Sequence, residues 1–94
     1  MKKEIYIVTM RCGTELEGPE VFPTKKEADE YATEYVLDFA RDSYAYETGG
    51  SPNARKSTIE KWAEENGYEY SDYYFWDGGD EAAEADVTKR EIDI

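Results

Sequence analysis

Glu30, Glu34, Asp38 and Asp42 recur at intervals of four in the stretch EADEYATEYVLDFARD. On a helix that spacing sets four carboxylates in a nearly straight row, each ~6 Å from the next along the axis. Such a row attracts ammonium and guanidinium groups, arginine often through two parallel hydrogen bonds. The ~6 Å interval is also close to the phosphate repeat along one nucleic-acid strand, so the row suits a groove that another protein keeps for DNA or RNA. It has an internal cost. Like charges four apart destabilise a helix by ~0.2–0.5 kcal/mol per pair, so three pairs cost on the order of 1 kcal/mol. The basic residues that could offset this, Lys25, Lys26 and Arg41, sit only near the ends of the segment. A solvated face in an acidic protein has the same pattern.

A second constellation lies at YEYSDYYFWDGGDEAAEAD, where Tyr68, Tyr70, Tyr73, Tyr74, Phe75 and Trp76 run into acids. Between Lys61 and Lys89 there is no basic residue, and the stretch carries nine acids. A strand over 70–76 buries only alternate side chains. That leaves Tyr68, Tyr70, Tyr73 and Trp76 as candidates for partial exposure. Aromatic rings rimmed by carboxylates make a surface on which arginine stacks and pairs. Tyr73, Trp76, Asp77, Asp80 and Glu81 are therefore the second candidate patch for a basic partner. The competing reading is that most of these rings close a small core, with their hydroxyls reaching water.

Other chemistry finds little support. Lys and Arg number 11 against 23 acids, a net charge of −12, which repels nucleic acid and anionic lipid. The chain has no histidine, which removes histidine-based acid–base catalysis and most zinc sites. With so many acids a pair of carboxylates is no sign of a glycosidase. DGGDEAAEAD lacks the residue order of a calcium loop, and no phosphate-binding glycine motif occurs. No catalytic residue, metal or cofactor is expected. Cys12, the single cysteine, cannot form an internal disulfide, which fits a reducing compartment. MKKEIYIVTM lacks the apolar run of a signal peptide, and no segment reaches the ~20 apolar residues of a membrane span. The expectation is a protein of the bacterial cytoplasm.

The elements that must position these residues are readable. At 94 residues the chain suits one domain, 1–94, which buries roughly two thirds of its unfolded surface. KEIYIVTM reads as a strand with apolar residues on both faces, Ile5 and Ile7 against Tyr6, Val8 and Met10, as for a strand covered on both sides. Gly13, Gly18 and Pro19 supply turns, and Val21 and Phe22 end a short antiparallel partner. Thr24 and Glu27 form a capping box for a helix over 25–46. Its inward stripe is Ala28, Tyr31, Ala32, Tyr35, Val36, Phe39, Ala40 and Ser43, with Leu37 off the stripe. Ser57 and Glu60 repeat the capping signal for a short helix over 58–66, with Ile59, Trp62 and Ala63 inward. A strand follows over 70–76. The tail ADVTKREIDI reads as a last strand with Thr88, Arg90, Ile92 and Ile94 on one side. The sum is an α+β fold: a small, mainly antiparallel sheet of three to four strands with one long and one short helix packed on it.

The opening IYIVTMRCGT, the helix start TKKEADEYA and the acidic aromatic tail look like small proteins of bacteria and their phages. The overall make-up, −12 in 94 residues with an acidic helix row, resembles DNA-mimic inhibitors of the antirestriction and anti-CRISPR kind. That resemblance implies a non-enzymatic protein that covers the nucleic-acid site of a basic host nuclease or CRISPR-type effector, acting stoichiometrically. The alternative is a small housekeeping interaction domain whose acidity serves only solubility.

Overall fold

The computed structural model describes residues 1–79 and 82–93. The elements are β1 (Lys2–Cys12), β2 (Glu15–Phe22), α1 (Lys25–Thr48), α2 (Lys56–Glu65), β3 (Glu69–Ser71), β4 (Tyr74–Trp76) and β5 (Ala82–Asp93). The fold is α+β, with one antiparallel sheet in the order β2-β1-β5-β4-β3. The sheet thus has five strands, more than the three to four expected. The extra strand comes from the aromatic segment. Instead of one strand over 70–76, a two-residue turn at Asp72 and Tyr73 folds it into the β3–β4 hairpin, with Ser71 opposite Tyr74 and Tyr70 opposite Phe75. Neither turn residue has a positive φ, so no glycine or asparagine marks the turn in the sequence.

Gly13 does make a turn, with φ +63 between β1 and β2. Gly18 and Pro19 do not end β2. They lie within it, where the register against β1 shifts between Val8 and Met10, a bulge. A side chain at Gly18 would meet the Val8 carbonyl oxygen at 3.1 Å, and its φ of +91 favours glycine.

α1 begins where the sequence indicates. Thr24 is extended at φ −129, and its Oγ1 accepts from the Glu27 backbone N–H at 3.2 Å. Gly49, left-handed at φ 72, ends it. The expected cap of α2 is absent: the helix starts at Lys56, and Arg55 at the N-cap makes no side-chain capping bond.

Both helices pack on the same side of the sheet. Val8, Met10, Ala28 and Ala32 form one core cluster, with Phe22, Tyr73 and Val87 against it. Val36, Leu37, Ala40, Ile59, Trp62, Ala63 and Phe75 form the other, and the two meet at Tyr35 and Ala85. Leu37 is buried because α1 has two neighbours, the sheet along one flank and α2 along the next. Tyr31, placed on the inward stripe by spacing, is instead 40% exposed and packs its ring on Phe22 at 5.1 Å.

β1 was expected to be covered on both faces, and it is covered on one. Tyr6, Val8 and Met10 point to the helices, whereas Ile5 and Ile7 share the opposite face with Val21, Thr88 and Arg90. Thr88, Arg90 and Ile92 are on one side, as alternation requires; Ile94 lies outside the described residues.

Candidate functional site

The candidate site starts from α1, whose 24 residues give a rod of about 36 Å. Burial of Ala28, Ala32, Val36 and Ala40 against the sheet fixes its rotation. Glu30, Glu34, Asp38 and Asp42 consequently all face solvent. Each four-residue step advances ~400°, so the row drifts ~40° per step and crosses the outer face obliquely rather than running straight. Glu27 is also exposed, on the same outer face.

The row is not as bare as the spacing suggests. The Arg41 guanidinium reaches back along the helix, with Nη1 3.0 Å from Glu34 Oε1 and 3.2 Å from Asp38 Oδ1. Its Nε donates to the Ala54 carbonyl at 2.8 Å, so the same side chain fastens the connection between the helices. One half-buried arginine thus offsets repulsion in the middle of the row. Glu30 and Asp42, at the two ends, make no ion pair among the described residues.

Tyr31 and Tyr35 flank Glu34 and Asp38, and the four line a shallow depression of about 160 Å³. Aromatic faces beside carboxylates suit a lysine or arginine side chain. By spacing alone this combination belongs to 68–76, and Tyr31 and Tyr35 belong to the core stripe. The signal was present in their spacing, since both lie at the border of the stripe. Burial, with Glu17 second, pushes the Tyr35 hydroxyl up to about 12.

Of the second candidate patch, the described residues Tyr73, Trp76 and Asp77 do not share one surface. Tyr73 turns toward α1, packs against the cluster of Val8 and Ala28, and donates its hydroxyl proton to Asp29. Trp76 follows Phe75 in the strand and therefore emerges on the sheet face away from the helices, 36% exposed, with Nε1 donating to the Gly79 carbonyl at 2.9 Å. Asp77 also reaches α1, farther along the helix: its Oδ2 accepts from Ser43 Oγ at 3.1 Å, and its Oδ1 accepts from the Gly79 N–H at 3.1 Å. Asp80 and Glu81 lie outside the described residues. Tyr68 and Tyr70 are half-buried, each in ring contact with the core, and the Tyr68 hydroxyl donates to Glu47.

Asp29 was not singled out by the sequence, yet it ties the helix start to the hairpin. Lys25 Nζ lies 2.8 Å from its Oδ2, and Tyr73 donates to its other oxygen. Those two bonds, Lys25 first, hold the carboxyl below its ordinary range. The Asp29 bond pushes the Tyr73 hydroxyl up to about 12. The lowered carboxyl contributes stability above the unfolded pKa and loses it as pH falls through the folded one. The raised hydroxyl contributes below about 10 and loses it as pH climbs toward 12. Tyr73→Phe is expected to cost ~1 kcal/mol at neutral pH, the ordinary worth of one such bond. It should also flatten both the acid and the alkaline arms of the stability profile. Urea melts across pH check this; unchanged arms would leave the Asp29 bond without energetic weight.

Among the described residues, no group of three or more metal-ligating side chains is placed to hold an ion, and no helix is long and apolar enough to cross a membrane. No family model matches the chain, and no curated protein or solved structure matches it.

Proposed function

We propose that this protein is a non-enzymatic, acidic inhibitor that binds a basic, nucleic-acid-handling protein, a nuclease or CRISPR-type effector, and occupies its nucleic-acid site as a DNA mimic. The observation that carries the reading is the outer face of α1, where Glu27, Glu30, Glu34, Asp38 and Asp42 are all exposed on one rigid element. Several features support it. The chain's charge of −12 provides long-range attraction to a basic groove. The depression between Tyr31, Tyr35, Glu34 and Asp38 offers an arginine of the partner both a ring and a carboxylate. The helix is held on two flanks, by sheet and by α2, so the row is pre-organised and little ordering entropy is lost on binding. Such a protein acts one-to-one, in the cytoplasm of the bacterial cell that contains the target.

The test is capture from nuclease-treated bacterial lysate on the tagged protein, eluted in rising salt. A nucleic-acid-binding protein released by moderate salt, and displaced by added DNA or RNA, is the expected result, because salt screens exposed charge pairs. Retention of only salt-resistant partners without nucleic-acid sites would overturn it. That outcome belongs to the second reading, a housekeeping interaction domain whose acidity serves solubility. The observation favouring that reading is the uncovered sheet face, where Leu16 is 71% and Val21 56% exposed.

A further inference from the structure

The sheet face away from the helices differs in charge from the acidic outer face of α1. The strand register places Lys3, Ile5, Ile7, Thr9 and Arg11 of β1 there, beside Leu16 and Val21 of β2 and Glu84, Asp86, Thr88, Arg90 and Ile92 of β5. Three bases and two acids give it a near-neutral charge in a chain of −12. Antiparallel sheets with one solvated face ordinarily carry polar residues on that face. Here Ile5 and Ile7 are apolar, Leu16, Val21 and Ile92 are 71%, 56% and 39% exposed, and Trp76 extends the patch on β4.

The two sides of the β1–β5 ribbon treat charge differently. On the helix side the end where β1 starts is closed within the chain, by Lys2 with Glu91 at 3.9 Å and Lys89 with Glu4 at 3.0 Å. On the open side Arg90 and Asp86 make no ion pair among the described residues. They stand two positions to either side of Thr88, which pairs with Ile7. A two-fold axis lying across the strands at Ile7 and Thr88 therefore sets Arg90 of one copy over Asp86 of the other, and does so twice; farther out it sets Lys3 over Arg11 of the other copy, a like pair beside which Glu84, opposite Arg11 in the register, supplies the balancing charge.

We propose that this face is the contact of a homodimer, two copies packing sheet on sheet around Ile5, Ile7 and Val21 with reciprocal Arg90–Asp86 pairs. The eleven paired residues of β1 and β5, at ~3.3 Å each, give a length of about 35 Å, and three strands a width of ~15 Å. That is a footprint on the order of 500 Å² per copy, at the low end for a specific interface, so the dimer dissociates on dilution. The helices, with the acidic row, point outward from both copies, which leaves the surface proposed for a basic partner free. Self-association also has its own salt signature. Two copies at −12 repel each other, so added salt tightens the dimer, whereas it loosens binding to a basic protein.

Sedimentation equilibrium of the full chain over two decades of concentration, at low and high salt, tests this. The expected result is a reversible dimer, tighter in high salt. Arg90→Asp alone and Asp86→Arg alone should each weaken it by at least about tenfold, since like charges then meet at the contact. The double exchange, Arg90→Asp with Asp86→Arg, should return it to within about threefold of the parent, because each pair is restored with its sign inverted. Circular dichroism of all three variants checks that the sheet is intact. A monomer at every concentration overturns the proposal, as does a dimer indifferent to the single changes or not rescued by the double one. A monomer whose face captures a different protein, lost on Val21→Lys, gives the surface to another partner and overturns it too.

Discussion

Phe75→Ala is expected to destabilise the protein by about 3–5 kcal/mol, the usual cost of emptying a fully buried phenylalanine site. Phe75 has no exposed surface and stands where the sheet, α1 and α2 converge. Its ring centroid is 6.0 Å from that of Trp62, nearly parallel, 6.0 Å from Phe39 and 5.9 Å from Tyr70. Large rigid neighbours cannot collapse into the space a truncation leaves, so the cavity term adds to the lost transfer energy. A domain of this length has roughly 5–14 kcal/mol in total, so the change removes a large share of it. The neighbouring Trp76→Ala should cost within about 1 kcal/mol, because its ring lies on the open face and its indole N–H bonds only to a turn carbonyl. Urea midpoints of the two variants decide the matter. Equal losses would mean that the hairpin register, and with it the assignment of faces, is wrong.

Reversing the ends of the helix row, Glu30→Lys with Asp42→Lys, is expected to weaken binding to the proposed basic partner on the order of a thousandfold. Placing like charges against a basic groove costs several kcal/mol, and each 1.4 kcal/mol is about a factor of ten. These two positions are the right ones because both are exposed and neither is tied to another residue by an ion pair among those described. Glu34 and Asp38 are poorer probes. Reversal there would set lysine against Arg41, which also fastens the loop through Ala54, so a loss of binding could come from a loosened connection. The thermal midpoint should stay within a few degrees of the parent, since relief of carboxylate repulsion roughly balances the new charges. Titration calorimetry against the captured partner reads the effect. Undiminished affinity would reduce the row to a solvated face and turn attention to the apolar sheet.

α1 was legible almost to the residue because its signals are local. Thr24 as cap and the stripe of Ala28, Ala32, Val36 and Ala40 both act within one or two turns. Ile59, Trp62 and Ala63 were legible as the inward face of α2 for the same reason, although the Ser57 cap was not used. The turn at Asp72 and Tyr73 was not legible. It has no residue type that forces a turn, and its cause is non-local: β4 pairs with β5, and Tyr73 is anchored by Asp29, 44 residues earlier. The candidate site divides in the same way. Exposure of Glu30, Glu34, Asp38 and Asp42 follows from helical period. The scattering of Tyr73, Trp76 and Asp77 follows from a hairpin that no periodicity announces.

Composition and short-range spacing determined the α+β class, the long capped helix and the acidic row, since each depends on residue type and on separations of a few positions. Only the tertiary structure decided the number of strands, the bridge from Arg41 to Glu34 and Asp38, and which face of β1 is covered. Ile5 and Ile7 are as apolar as Val8 and Met10, so the strand alone cannot choose a face. The choice falls to the helices, which can lie on only one side once α1 has to bury its alanine stripe and α2 has to close over Phe75.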